Sequence, residues 1–144
     1  MPDYKEYDKL YIDIAKRVAM MSKATRLKVG AIIVSNHSIL SYGYNGTPRG
    51  ADNTAEYMDD QEKLVTKPDV VHSEINAVLK LIKNGVKIEN ATMYLTHSPC
   101  KACAIFIYQS EVIKEVVYDE EYRITDGIEF LRSAGIKVRR SYTE

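Results

Sequence analysis

Residues 91–118 run Ala91-Thr-Met-Tyr-Leu-Thr96, His97-Ser-Pro-Cys100-Lys-Ala-Cys103, Ala104-Ile-Phe-Ile-Tyr-Gln-Ser110 and Glu111-Val-Ile113-Lys-Glu-Val-Val-Tyr118. Ala91–Thr96 is short, apolar and bounded by turn formers, which predicts a strand. Cys100–Ser110 is apolar nearly all round, which predicts a helix with both faces buried. Ile113–Tyr118 predicts a second strand. A strand, a helix and a strand in close succession form a right-handed crossover, so the two strands are expected to be parallel. This unit decides the fold class.

The pattern repeats downstream, with a helix over Asp126–Ala134 and a last strand over Ile136–Arg140. Upstream, His72–Asn84 is the strongest helix. Ile75, Val78, Leu79 and Ile82 share one face, and Gly85 supplies the stop. Nearer the start, Tyr4–Ser22 predicts a helix that buries Tyr11, Ile14, Ala15 and Val18. Val29–Val34 and Ile39–Tyr44 predict two strands joined by a turn over Ser35–Ser38, hence an antiparallel hairpin with His37 in solvent. Asn45–Val70 shows no strong pattern beyond a short helix over Glu56–Leu64, and an irregular stretch of about 25 residues is usually functional. The order is αββ followed by α-β-α-β-α-β. Alternating strands and helices give a sheet with helices on both faces.

The chain has 144 residues, within the range of one domain, and residues 1–144 are read as such. It carries 20 Lys and Arg against 20 Asp and Glu, so it lacks the basic excess of a dedicated duplex binder. That balance favours a small-molecule partner. No apolar run is long enough to span a membrane, and the polar opening Met1-Pro-Asp-Tyr-Lys-Glu-Tyr7 lacks a signal-peptide core. The expectation is a cytoplasmic protein. The only cysteines are Cys100 and Cys103, too close together to staple a fold.

A C-x-x-C pair alone can be a redox pair, half of a structural zinc site or part of a catalytic one. A second segment narrows the choice. His72-Ser73-Glu74 stands, like Pro99-Cys100, where the chain enters a helix. The first helical turn has unpaired N–H groups and partial positive charge, which favours thiolate, the form that binds zinc. Cys100 and Cys103 lie on one helix face. One His and two Cys make three ligands where zinc takes four, and an open position is the mark of a catalytic site. Glu74, in the first turn after His72, is placed to move protons beside it.

With these segments in view, the chain resembles the cytidine/deoxycytidylate deaminase superfamily from about Lys9 to Val138. The resemblance rests on Val29-Gly-Ala31, Gly43-Tyr-Asn-Gly-Thr-Pro-Arg-Gly50, His72-Ser-Glu-Ile-Asn-Ala77 and Ser98-Pro-Cys-Lys-Ala-Cys-Ala104. The segment Gly43–Gly50 points to the deoxycytidylate branch. The resemblance implies a three-layer α/β/α sandwich on a five-stranded mixed sheet. It implies hydrolytic deamination of dCMP to dUMP and ammonia, supplying dUMP for thymidylate synthesis. His72, Cys100 and Cys103 match the zinc ligands and Glu74 the proton shuttle. Asn45 matches the residue that holds the sugar. The Ser73 backbone and the Ser98 carbonyl match the grip on the cytosine edge.

The 5′-phosphate of such a substrate needs cationic or N–H donors. Arg26 and Tyr122 are the candidates, with Arg49 and Lys28 behind them. His97 is expected to support the structure near the metal. The segment between the glycine-rich loop and His72 lacks the extra Cys and His of a second zinc site, so one zinc per chain is expected. The resemblance further implies a hexamer activated by dCTP and inhibited by dTTP, with Mg accompanying the triphosphate. The effector loop would be Gly43, Tyr44, Asn45 and Gly46 with Arg49. Three rivals stand beside this function: a bifunctional dCMP/dCTP deaminase, a tRNA or polynucleotide base deaminase, and a non-catalytic zinc-binding module.

Overall fold

A computed structural model describes residues 4–142; Met1–Asp3, which open the polar N-terminal stretch, and Thr143 and Glu144 lie outside the described residues. The chain begins with helix α1 (Tyr4–Ala19), whose Tyr11 and Ala15 are buried and whose Ile14 and Val18 pack beside them. Strands β1 (Gly30–Ser35) and β2 (Ser38–Tyr44) form the expected antiparallel hairpin. Next come β3 (Glu56–Met58) and β4 (Leu64–Thr66), then α2 (Ser73–Lys83), β5 (Ala91–His97), α3 (Lys101–Ser110), β6 (Ile113–Glu120), α4 (Asp126–Ser133) and β7 (Lys137–Arg140). Among the described residues no helix is long and apolar enough to cross a membrane.

The main sheet has the order β2-β1-β5-β6-β7. β1 is antiparallel to both neighbours, while β5, β6 and β7 are parallel, as the crossover rule requires. Side chains of a strand alternate between faces, and β1 shows the consequence. Ala31 and Ile33 join Met93, Leu95 and Val116 under α2, α3 and α4. Ile32 and Val34 join Tyr94 and Val117 under α1. The architecture is therefore an α/β/α sandwich on a mixed five-stranded sheet, with one helix on one face and three on the other.

Three local expectations are corrected. The short helix over Glu56–Leu64 is a hairpin, β3 pairing with β4. Asp59 closes its loop by accepting the N–H groups of Gln61 and Lys63 on Oδ1, and Glu62 has the left-handed φ of 59° that a helix excludes. The second correction is the face of α2. Leu79 and Ile82 are exposed, Ile82 to 69%, whereas Ser73, Ala77, Val78 and Leu81 are buried. The helix lies so close to β2 that a Cβ on Gly43 would collide with the Ser73 carbonyl and the Ala77 N–H. Only the face with small residues can make that approach. The third is α3, whose Ile105 and Tyr108 are exposed and whose buried residues are Cys103, Ala104 and Ile107.

Candidate active site

The N-termini of α2 and α3 meet at the carboxyl ends of the parallel strands. His72 and Cys100 are the capping residues of these helices, both with extended backbone, and Cys103 sits in the first turn of α3. His72 Nδ1 lies 3.0 Å from Cys103 Sγ and 3.7 Å from Cys100 Sγ. All three donor atoms fall within 4.8 Å of one another, and no other His/Cys/Asp/Glu group among the described residues is close enough to hold a metal ion.

These donors fit zinc. Tetrahedral nitrogen and sulfur ligands at zinc bond lengths lie roughly 3.5–3.8 Å apart, near the spacing found here. The electrostatics agree. Contact with Cys103 and then His72 holds the Cys100 thiol well below its ordinary range. Cys103, which donates to Cys100 and is buried, is pushed up. Its own hydrogen bond with Cys100 raises His72. The set is built to gather negative charge on sulfur, and a zinc ion there would deprotonate both thiols.

Glu74, in the first turn of α2, is buried to 4% exposure, and its Oε1 accepts the Ser73 hydroxyl at 2.6 Å. Together His72, Ser73, Glu74 and Cys100 floor a cleft of about 440 Å³. Ser98 and Asn45 line it, as do Arg26 and Tyr122. Ser98 is anchored on both sides: its N–H donates to the Glu120 carbonyl, and its hydroxyl accepts the Tyr122 N–H at 2.8 Å. Burial, and then the nearby Glu74, pushes the Tyr122 phenol up to about 12, so it stays a neutral hydrogen-bond donor.

Asn45 is less free than its expected sugar contact suggests. Its Oδ1 accepts the Val29 N–H at 2.9 Å and its Nδ2 donates to the Leu27 carbonyl at 2.8 Å. One N–H and one lone pair of the amide remain for a ligand. The chain is tied down on both sides of it: Asn76 Nδ2 of α2 donates to the Tyr44 carbonyl, and Gly46 pairs with Val71. Arg49 is exposed and, with Lys28, stands outside the cleft wall.

His97 does more than support the strand end. It lines the cleft, its ring packs on Tyr122 with centroids 5.6 Å apart, and its Nε2 lies 3.1 Å from Glu120. Several wall residues escaped the sequence reading: Lys101, Arg123, Ile124 and Asp126, with Thr66 and Val70 from the hairpin region. Lys101 and Arg123 had a signal, since each adjoins a residue already singled out. Thr66 and Val70 had none, because nothing local brings the hairpin to the cleft.

Residues 5–120 match the family model for the cytidine and deoxycytidylate deaminase zinc-binding region. Deoxycytidylate deaminase of Enterobacteria phage T4 is 36% identical over 88% of this chain and 86% of its own length. The human deoxycytidylate deaminase is 37% identical over 86% of this chain and 71% of its own. Among solved structures, the dCMP deaminase of cyanophage S-TIM5 in complex with dCMP and dUMP superposes with a TM-score of 0.87 at 39% identity, covering 96% of this chain and 99% of that one.

Proposed function

The chain belongs to the cytidine and deoxycytidylate deaminase family, and we propose that it catalyses the zinc-dependent hydrolysis of dCMP to dUMP and ammonia. The observation that carries this is one cleft. Its lining includes His72 and Cys100, the buried Glu74 carboxylate and the cationic Arg26, and Cys103 Sγ lies 3.0 Å from His72 Nδ1 to complete the donor set. The relative crystallised with dCMP and dUMP supplies the substrate class.

A zinc ion held by His72, Cys100 and Cys103 would supply a water acidified to a pKa of roughly 7 for attack at C4 of the base. Glu74 carries one proton to N3 of the cytosine and a second to the departing amino nitrogen. Burial and the Ser73 hydroxyl keep its carboxylate aimed into the cleft. The Ser73 N–H and Ser98 carbonyl hold the cytosine edge. Asn45 offers its remaining N–H to the sugar. Arg26 and Tyr122 take the 5′-phosphate, one as a cation and the other as a neutral phenol.

The finer features belong to the same proposal. Residues 1–144 act as one catalytic domain with one zinc per chain. The enzyme is cytoplasmic and supplies dUMP for thymidylate synthesis. It assembles as a hexamer, activated by dCTP and inhibited by dTTP, with Mg accompanying the triphosphate at the loop of Gly43–Gly46 and Arg49. Support for regulation is that this loop bonds directly to α2, the helix that carries Glu74.

The test is ammonia release from dCMP, CMP, dCTP, deoxycytidine and an adenosine stem-loop, with elemental analysis of the same preparation. We expect dCMP to be the best substrate and zinc to be present at one per chain. Preference for dCTP or the stem-loop would overturn the substrate assignment. Active protein with no zinc, or with two per chain, would overturn the metal assignment.

A further inference from the structure

Glu56 and Thr66 stand directly opposite each other on the β3–β4 ladder. Both oxygens of the Glu56 carboxylate are engaged, although the residue is only 7% exposed. Its Oε2 accepts the backbone N–H groups of Thr25 and Arg26, each at 3.0 Å, and its Oε1 accepts the Thr25 hydroxyl at 3.1 Å. On the same rung, Thr66 Oγ1 accepts from Arg26 Nη1 at 3.3 Å. Arg26 is thus gripped at its backbone by one residue of the rung and at its guanidinium by the other. Beside the rung, Ala24, Ala55 and Val70 form a small buried cluster that fixes the hairpin to the segment before β1. Both Arg26 and Thr66 face the cleft.

We infer that Glu56 and Thr66 are positioning residues that mount Arg26 over the cleft for the 5′-phosphate, so that the β3–β4 hairpin sets recognition of the nucleotide monophosphate. The inference rests on Arg26 as a phosphate contact. An exposed arginine samples many rotamers, and ordering it on binding opposes affinity. A backbone clamp and a guanidinium partner remove part of that disorder beforehand. The Arg26 N–H also keeps the Glu56 carboxyl below the usual glutamate range, so it is an anion at neutral pH. The phosphate is remote from C4, so loss of the mount weakens binding of substrate and transition state alike. That signature is a raised KM with kcat retained.

The experiment compares zinc-loaded wild type, Arg26→Ala, Glu56→Ala, Glu56→Gln, Thr66→Val and the Arg26→Ala/Glu56→Ala double variant, reading KM and kcat for dCMP. We expect Arg26→Ala to raise KM roughly 10–150-fold, the range of a charge-assisted hydrogen bond. Glu56→Ala should raise it about tenfold with kcat within about threefold. Glu56→Gln keeps an oxygen for the two N–H groups and should restore most of the loss. The double variant should be no worse than Arg26→Ala alone, because Glu56 acts through Arg26. An unchanged KM in Glu56→Ala, or effects that multiply in the double variant, overturns the positioning role and leaves Arg26 as a phosphate contact. A flat KM in Arg26→Ala overturns the phosphate contact and the inference with it. Should Glu56→Ala fail to fold, Thr66→Val carries the same test. It should raise KM roughly 2–10-fold and should not compound with Arg26→Ala, and compounding overturns the inference.

Discussion

In the proposed mechanism the chemistry turns on Glu74. It is buried, bonded to the Ser73 hydroxyl, and distinct from the three metal donors. Glu74→Gln should therefore keep the fold, the zinc and dCMP binding. Glutamine still forms hydrogen bonds but takes up no proton at neutral pH. Removing a general acid–base typically costs about 10²–10⁴-fold, and in the proposed mechanism this residue serves two transfers, so kcat should fall at least about a thousandfold. A zinc-replete Glu74→Gln protein that deaminates within about tenfold of wild type would rule out the shuttle. The spacing of His72, Glu74, Cys100 and Cys103 was legible in the chain because capping positions and helical turns are local features. The bond from the Ser73 hydroxyl was not, since the sequence reading used only the backbone of that residue.

At the scale of elements, the helix N-termini hold the site together, and close packing holds the helices. Gly127, at the start of α4, lies against the Pro99 carbonyl and Cys100 backbone, and a Cβ there would collide with both. Gly127→Ala should push α4 off the turn that carries Cys100. Overpacking of this kind costs about 1–3 kcal/mol. Urea unfolding should show that loss, and zinc should pass to a competing chelator faster than from wild type. Unchanged stability and unchanged zinc release would mean that the turn yields without consequence. The hairpin makes a prediction about pH. The bonds to Glu56, chiefly from the Arg26 N–H and then from Thr25, outweigh burial and hold its carboxyl low, with the Arg26 charge adding to the effect. A lowered folded-state pKa stabilises above the ordinary glutamate value of 4.5 and loses that contribution as the pH falls through the lower folded value. The stability gap between wild type and Glu56→Gln should be full near neutral pH and shrink once the pH drops below 4.5. A gap independent of pH would mean that the charge of Glu56 is irrelevant. Local pattern points to a short helix here, because the period of three-residue strands is too short to register and the partners of Glu56 lie 30 and 31 residues away.

Across the whole molecule, the first and last elements are joined by an ion pair. Asp8 of α1 is fully buried and accepts two bonds from Arg139 of β7, at 2.6 and 2.9 Å, with a third from the Tyr142 N–H at 3.0 Å. Removing one partner of a buried pair leaves an uncompensated charge and costs about 3–5 kcal/mol. Arg139→Met should fall near the low end, because the arginine is partly exposed, and the Asp8→Leu/Arg139→Met double variant should recover much of the loss. Denaturant midpoints for the single and double variants check this, and an Arg139→Met protein within about 0.5 kcal/mol of wild type would contradict it. Sequence alone determined the order of the five main strands and four helices along the chain and the direction of their crossovers, which follow from periodicity, capping residues and chirality acting over a few residues or one crossover. The grouping of His72 with the two cysteines was legible only through the paired motifs and the family resemblance they carry. Tertiary structure alone decided that Leu79 and Ile82 face outward, that the Asn45 amide is largely taken by the Leu27–Val29 backbone, and that a hairpin grips Arg26. Each of these depends on which backbone can come close to which, and that is settled by packing between segments far apart in the chain.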